Sequence, residues 1–202
     1  MRDKVLNKIM IEIKDNNKEL NDIKLAEIKY GLQGLYTLIT KTSVIIILSL
    51  ILNIFYEFII FFVFYSLLRS VGFGTHASSN LKCWIFSTVF LLGIPVLMTS
   101  IKLNLLYKII LWSLFFINFL IFAPADTKKR PMINKKRKLK FKFILLIFSI
   151  IYLFIIIYFK NISNIILGSM FLEALLVNPI GYILMGEEIR FSLNDINVFR
   201  QN

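Results

Sequence analysis

Residues 34–70 read GLYTLITKTSVIIILSLILNIFYEFIIFFVFYSLLRS, an apolar run broken by Asn53 and softened by Glu57. It spans 37 residues from Gly34 to Ser70. A membrane-crossing helix needs about 20. The run is therefore too long for one crossing and just long enough for two compact ones, at about 34–52 and 54–70. Four more apolar segments follow, at about 84–100, 103–122, 143–159 and 162–184. Each must be helical, because backbone polar groups in hydrocarbon have to be satisfied within their own segment.

Composition supports this reading. Of the 202 residues, 57% are hydrophobic and 18% charged, against about 45–50% and 25% in an ordinary soluble domain. A soluble fold has too little interior for so much apolar side chain, and a disordered chain would be poor in it. One cysteine excludes an intramolecular disulfide, and one histidine excludes a His-rich metal site. No Gly-rich phosphate loop or GxGxxG is present, so neither metal nor cofactor is expected. The formal charge is +12. In a soluble chain that excess would suggest nucleic acid. Here the bases crowd between apolar blocks, which reads as membrane topology, and no nucleic-acid partner is expected.

Charge also sets sidedness. Residues 123–142 carry nine Lys/Arg and a single acid, Asp126, and so are expected on the cytosolic side. Two spans separate them from the loop 71–83, which is then cytosolic too. The basic N-terminal region belongs on the same side, so an even number of passes lies between residues 42 and 71. Two passes, or a re-entrant hairpin, satisfy that parity. The expected fold is all-α: a polytopic membrane helical bundle of about six transmembrane helices, the first two short or re-entrant. It forms one membrane domain over 1–202, with a cytosolic amphipathic region at 1–33, the bundle at 34–184 and a cytosolic tail at 185–202. Within the first region, Val5, Leu6, Ile9, Met10 and Ile13 mark one amphipathic helix. Asp15, Asn16 and Asn17 interrupt it, and Leu20, Ile23, Ala26 and Tyr30 suggest a second stripe. These helices suit either the membrane surface or the cytosolic end of the bundle.

The stretch from Arg69 to Cys83, RSVGFGTHASSNLKC, holds both the only histidine and the only cysteine. A thiol becomes a strong nucleophile as thiolate, an imidazole can take its proton, and Arg69 and Lys82 supply favourable positive charge. On a straight helix His76 and Cys83 would share a face about 10 Å apart along the axis. A direct hydrogen bond then needs the segment to bend or unwind, which Gly72 and Gly74 permit. The plainer readings are a small buried apolar residue for Cys83 and interfacial decoration for His76.

Arg69, Gly74, His76-Ala77 and Cys83 resemble the core motif of the accessory gene regulator B family, membrane peptidases of Gram-positive quorum sensing. Lys29-Tyr30-Gly31-Leu32-Gln33 and Ala123-Pro124-Ala125-Asp126-Thr127-Lys128-Lys129-Arg130-Pro131 match two further stretches. The resemblance covers roughly residues 20–185. It departs at Phe73, where the family usually has the first of two glycines. It implies a cysteine endopeptidase and cyclase that removes the C-terminal tail of an autoinducer propeptide and closes the remainder into a thiolactone or lactone. The matching catalytic pair is His76 and Cys83, with Arg69 and Gly74 at positions needed for activity. A homodimer in the cell membrane of a Gram-positive bacterium is also implied, with the catalytic loop on the cytosolic side. A third group orienting His76 could be Asp126, Asn80 or Glu57, and Asp126 at the cytosolic end of span four suits best. Its plainer role is to neutralise the neighbouring lysines.

The basic loop has two readings. Lys128, Lys129, Arg130, Lys135, Lys136, Arg137 and Lys138 attract anionic lipid, and by resemblance the same field would hold a propeptide's acidic tail. Glu173 is an intramembrane acid and so a functional candidate without an assigned role. Two rival functions remain open at this level: a small peptide transporter or exporter, with His76 and Glu173 lining a path, and a non-catalytic scaffold.

Overall fold

The computed structural model describes residues 2–17, 19–75, 79–127 and 134–187. Among them are eight helices and no strand: α1 (Arg2–Asn16), α2 (Asp22–Ile51), α3 (Phe55–Gly72), α4 (Asn80–Ser100), α5 (Leu105–Phe122), α6 (Lys135–Tyr158), α7 (Ser163–Val177) and α8 (Pro179–Met185). Helices α2 to α6 are each long and apolar enough to cross a membrane. The pair α7–α8, bent by 77°, makes a sixth crossing if counted as one broken span. The all-helical membrane bundle expected from hydropathy is therefore the fold.

Polar side chains punctuate it. Ser79, Asn104, Asn134 and Asn178 each accept a backbone N–H from the first turn of the helix that follows. Such caps satisfy donors that helix geometry leaves open. The chain divides at Ile51/Leu52 into two compact units. In the first, α1 packs along α2. Helix α2 runs without a break from Asp22 to Ile51, so Ile23, Ala26 and Tyr30 share a helix with the first apolar segment. At 1.5 Å per residue its 30 residues reach about 45 Å, against a hydrocarbon core of about 30 Å. The turn after it contains Asn53 in the left-handed region, φ 55°, where the sequence placed the break.

The second unit is built around α7. Helices α3, α4, α5 and α6 all pack against it, and it is buried on nearly every side, from Ser163 and Ile165 through Met170 and Glu173 to Val177. A helix apolar all round belongs in an interior. The outer helices turn Val63, Val89, Leu114, Ile147 and Phe154 outward, as a bundle solvated by lipid must. Gly168 lets α4 approach α7 closely: a Cβ there would lie 2.7 Å from Met98 Cγ and 2.9 Å from Ile94 Cγ2. At the start of α7, Lys108 Nζ donates to Ser163 Oγ at 2.5 Å, and Asn164 Nδ2 donates to the Ile101 carbonyl at 2.6 Å. Alternation of direction then gathers the ends of α3, α5 and α7 with the starts of α4 and α6 at the opposite end of the unit.

Candidate active site

The end of α3 sets the geometry. The helix stops at Gly72, and Phe73 follows in the left-handed region, φ 64°, its N–H donating to the Arg69 carbonyl. An L side chain costs about 1–2 kcal/mol in that conformation, which is why glycine is expected here. Phe73 is held there by packing. Its ring meets Phe141 of α6 edge-on at 4.8 Å, and the Arg137 guanidinium lies over the other partner, 5.6 Å from the Phe141 centroid. Phe73 thus adopts the turn itself, and Gly72 serves a different purpose. A Cβ on Gly72 would run into Glu173 Oε1.

Arg69, in the last turn of α3, links three elements. Its Nη2 donates to the Thr75 carbonyl at 2.6 Å, and its Nη1 lies 3.8 Å from Glu173 Oε2 on α7. Gly74, at φ +27°, leaves room for this guanidinium: a Cβ there would fall on Nη1 and 2.8 Å from Cζ. Thr75 is tied again to α7, where its N–H donates to the Leu176 carbonyl at 2.9 Å and its Oγ1 to the same oxygen at 3.2 Å. The chain after α5 joins the cluster, since Ala125 N–H donates to the Gly72 carbonyl at 2.9 Å and the Asp126 carbonyl accepts Tyr182 Oη at 3.0 Å. Glu173 is 0% exposed, and neither carboxylate oxygen has a hydrogen-bond partner among the described residues.

Cys83 stands in the first turn of α4, its N–H donating to the Ser79 carbonyl at 3.0 Å. It is half-buried. Between the two positions Ser79 is not helical and α4 has begun by Asn80, while just upstream of the histidine residues 73–75 are not helical either. His76 lies outside the described residues, but Thr75, the residue before it, is fixed by three hydrogen bonds.

The structure therefore brings Arg69, Gly74, Cys83 and the backbone of Asp126 to one end of the unit. Glu57 does not join them: it lies in the first turn of α3, whereas Arg69 lies in the last, about 18 Å away along the axis. The side chain of Asn80 and all of Lys128, Lys129 and Arg130 lie outside the described residues. Lys135, Lys136, Arg137 and Lys138 form the first turn of α6, with no acid among them. Sequence reasoning gave Gly72 a role in turning only, not beside Glu173, and missed Thr75 and the Leu176 carbonyl; Glu173 carried the signal of an intramembrane acid.

A family model described as Accessory gene regulator B matches residues 3–177. The accessory gene regulator protein B of Staphylococcus epidermidis is 28% identical over 161 residues, 80% of this chain and 83% of its own length. That of Staphylococcus aureus strain Newman is 28% identical over 170 residues, 84% and 89% of the two chains. That of Staphylococcus carnosus strain TM300 is 30% identical over 127 residues, 63% and 65%. No solved structure matches.

Proposed function

This chain belongs to the accessory gene regulator B family, a membrane family of quorum sensing, and from that premise we propose that it is a cysteine endopeptidase and peptide cyclase. The substrate is an autoinducer propeptide. Cys83 Sγ attacks the carbonyl of the scissile bond while His76 takes the thiol proton, and His76 then returns that proton to the leaving amine. The bond broken is the amide and the bond formed is an enzyme thioester. A thiol or hydroxyl within the bound peptide next attacks the thioester, closing a thiolactone or lactone and releasing Cys83. Making a thioester from an amide is uphill, so removal of the cut tail or of the ring must draw the reaction forward. Water would waste the intermediate, which suits a site at the membrane edge.

The observation that carries this reading is the Arg69 guanidinium. It grips Thr75, the residue before His76 in the chain, and lies at the same end of the unit as Cys83 in the first turn of α4. Catalysis by a pair depends on such placement more than on the groups alone. The first turn of α6 supports a further part of the reading. Lys135, Lys136, Arg137 and Lys138 sit where the helix dipole is already positive. That arrangement favours an anionic partner, which we assign to the acidic tail of the propeptide, with anionic lipid as its neighbour. We place this end of the unit on the cytosolic side of a Gram-positive cell membrane, and the working form as a homodimer.

The test is propeptide cleavage in proteoliposomes. Cys83→Ala and His76→Ala should insert normally and cleave nothing, and Cys83→Ser should lose most activity. A transporter would tolerate Cys83→Ser. Normal processing by Cys83→Ala would overturn the peptidase reading.

A further inference from the structure

We infer that Glu173 is a positioning residue, which through Arg69 holds the Gly72–Thr75 turn that leads into His76. The inference rests on the peptidase reading for its purpose, but its geometry stands apart from it. Glu173 lies fully buried, and among the described residues neither of its oxygens receives a hydrogen bond and Arg69 makes its one ion pair. A buried carboxylate so poorly provided for is costly, and an apolar residue of similar volume is often as stable or more so. Fold stability therefore does not account for an acid here. What the acid does is geometric. Arg69 offers a rigid, planar fork. With Nη1 drawn toward Glu173 on α7, Nη2 is aimed at the Thr75 carbonyl. At 3.8 Å the Arg69–Glu173 contact is Coulombic, not a hydrogen bond. It fixes the side on which the guanidinium lies while leaving its N–H directions to Thr75.

Two glycines keep the slot open. A side chain at Gly72 would displace the carboxylate, and one at Gly74 would displace the guanidinium. Both ends of the ion pair are thus approached by backbone with no Cβ. Thr75 completes the arrangement, since its N–H and hydroxyl both reach the Leu176 carbonyl, on the same helix as Glu173. Helix α7 therefore holds the turn twice, directly through Leu176 and indirectly through Glu173 and Arg69.

Hydrogen exchange read by mass spectrometry on the full chain in nanodiscs tests this without any substrate. The variants are Glu173→Gln, Arg69→Gln, the two combined, and Gly72→Ala, which reaches the carboxylate from the other side. Glu173→Gln should speed exchange at the Thr75 and Ala125 amides by about tenfold, the scale of one charge-assisted hydrogen bond lost locally. Gly72→Ala should do the same, and the double variant should exchange no faster than Arg69→Gln. Amides of α5 and α6 away from the turn should keep wild-type protection. In propeptide cleavage, Glu173→Gln should lower kcat on the order of 10–100-fold with KM held, and Glu173→Asp should recover part of it. Thr75 protection that survives Glu173→Gln but not Arg69→Gln would overturn the inference, as would strictly additive effects or loss of protection spread evenly over α3, α6 and α7. A wild type that turns over no propeptide would instead overturn the peptidase reading, since the exchange pattern is measured independently of it.

Discussion

Gly74→Ala adds one carbon where the Arg69 guanidinium lies. The new Cβ would fall on Nη1, 2.8 Å from Cζ and 3.1 Å from Leu176 Cβ. The backbone of α7 cannot yield, so the arginine must. Moving it breaks the 2.6 Å bond from Nη2 to the Thr75 carbonyl and draws Nη1 away from Glu173. A hydrogen bond from a charged donor contributes about 1.5–3 kcal/mol, and alanine at φ +27° adds on the order of 1 kcal/mol of backbone strain. Together these come to about 2.5–4 kcal/mol, all of it at the turn that leads into His76. If that cost appears in the reacting geometry, kcat/KM falls on the order of 100- to 1000-fold. The assay is propeptide cleavage at equal amounts of inserted protein, with Cys83 alkylation counting accessible sites. Gly93→Ala is the control, because a Cβ at Gly93 meets nothing within 4 Å. Wild-type kcat/KM in Gly74→Ala would refute the reasoning, since the guanidinium cannot keep both contacts beside a Cβ.

Gly168→Ala should destabilise the bundle by about 1–3 kcal/mol through overpacking against Met98 and Ile94, whereas Gly93→Ala should be neutral or stabilising by up to about 1 kcal/mol; reversible unfolding in mixed micelles compares them. Phe73→Gly loses the ring contact with Phe141 but relieves the left-handed backbone, whereas Phe73→Ala loses the ring and keeps the strain. The glycine variant should therefore unfold about 1 kcal/mol later than the alanine variant in the same assay. Charge reversal at Lys135 and Lys136 should weaken propeptide capture and flatten its dependence on salt, because screened charges act over about 8–10 Å at physiological ionic strength; salt titrations on equal inserted protein, with saturating-peptide rates unchanged, check this.

Hydropathy located the crossing helices because lipid imposes one rule on every span, and that rule is local. The break at Asn53 and the unwinding before Cys83 were legible for the same reason: they follow from residues adjacent in the chain. The partner of Glu173 was not. Its acid stood out against an apolar background, yet nothing within α7 indicates that Arg69 of α3 faces it, because that contact depends on how helices stack. Asp126 was preferred to Glu57 from the sequence for its place at the cytosolic end of span four, and the structure puts its backbone, but not Glu57, beside the turn. Both are lone acids near span ends, and the direction of α3, which charge sidedness already implied, separates Glu57 from the cluster. Phe73 failed differently. The resemblance marked its position as a glycine site, but the ring that offsets the strain packs on Phe141, far along the chain. His76 itself lies outside the described residues, so its pairing with Cys83 rests on the motif and on the placement of Thr75.

The ion pair also orders events in time. A ribosome delivers α3 to the membrane before α4, α5 and α6, and α7 only after them. Arg69 enters with no acid to face, and its long side chain can keep its charge at the aqueous boundary meanwhile. When α7 arrives it brings both Glu173 and the Leu176 carbonyl, and only then can Arg69 turn inward and Thr75 be tied down. On the proposed mechanism, the half-made chain already contains its histidine and cysteine but lacks the contacts from α7 that tie down the turn between α3 and the histidine. A fragment ending after α6 should therefore carry the nucleophile and do no chemistry, so that a nascent protein leaves nearby peptides uncut until its synthesis has passed the seventh helix.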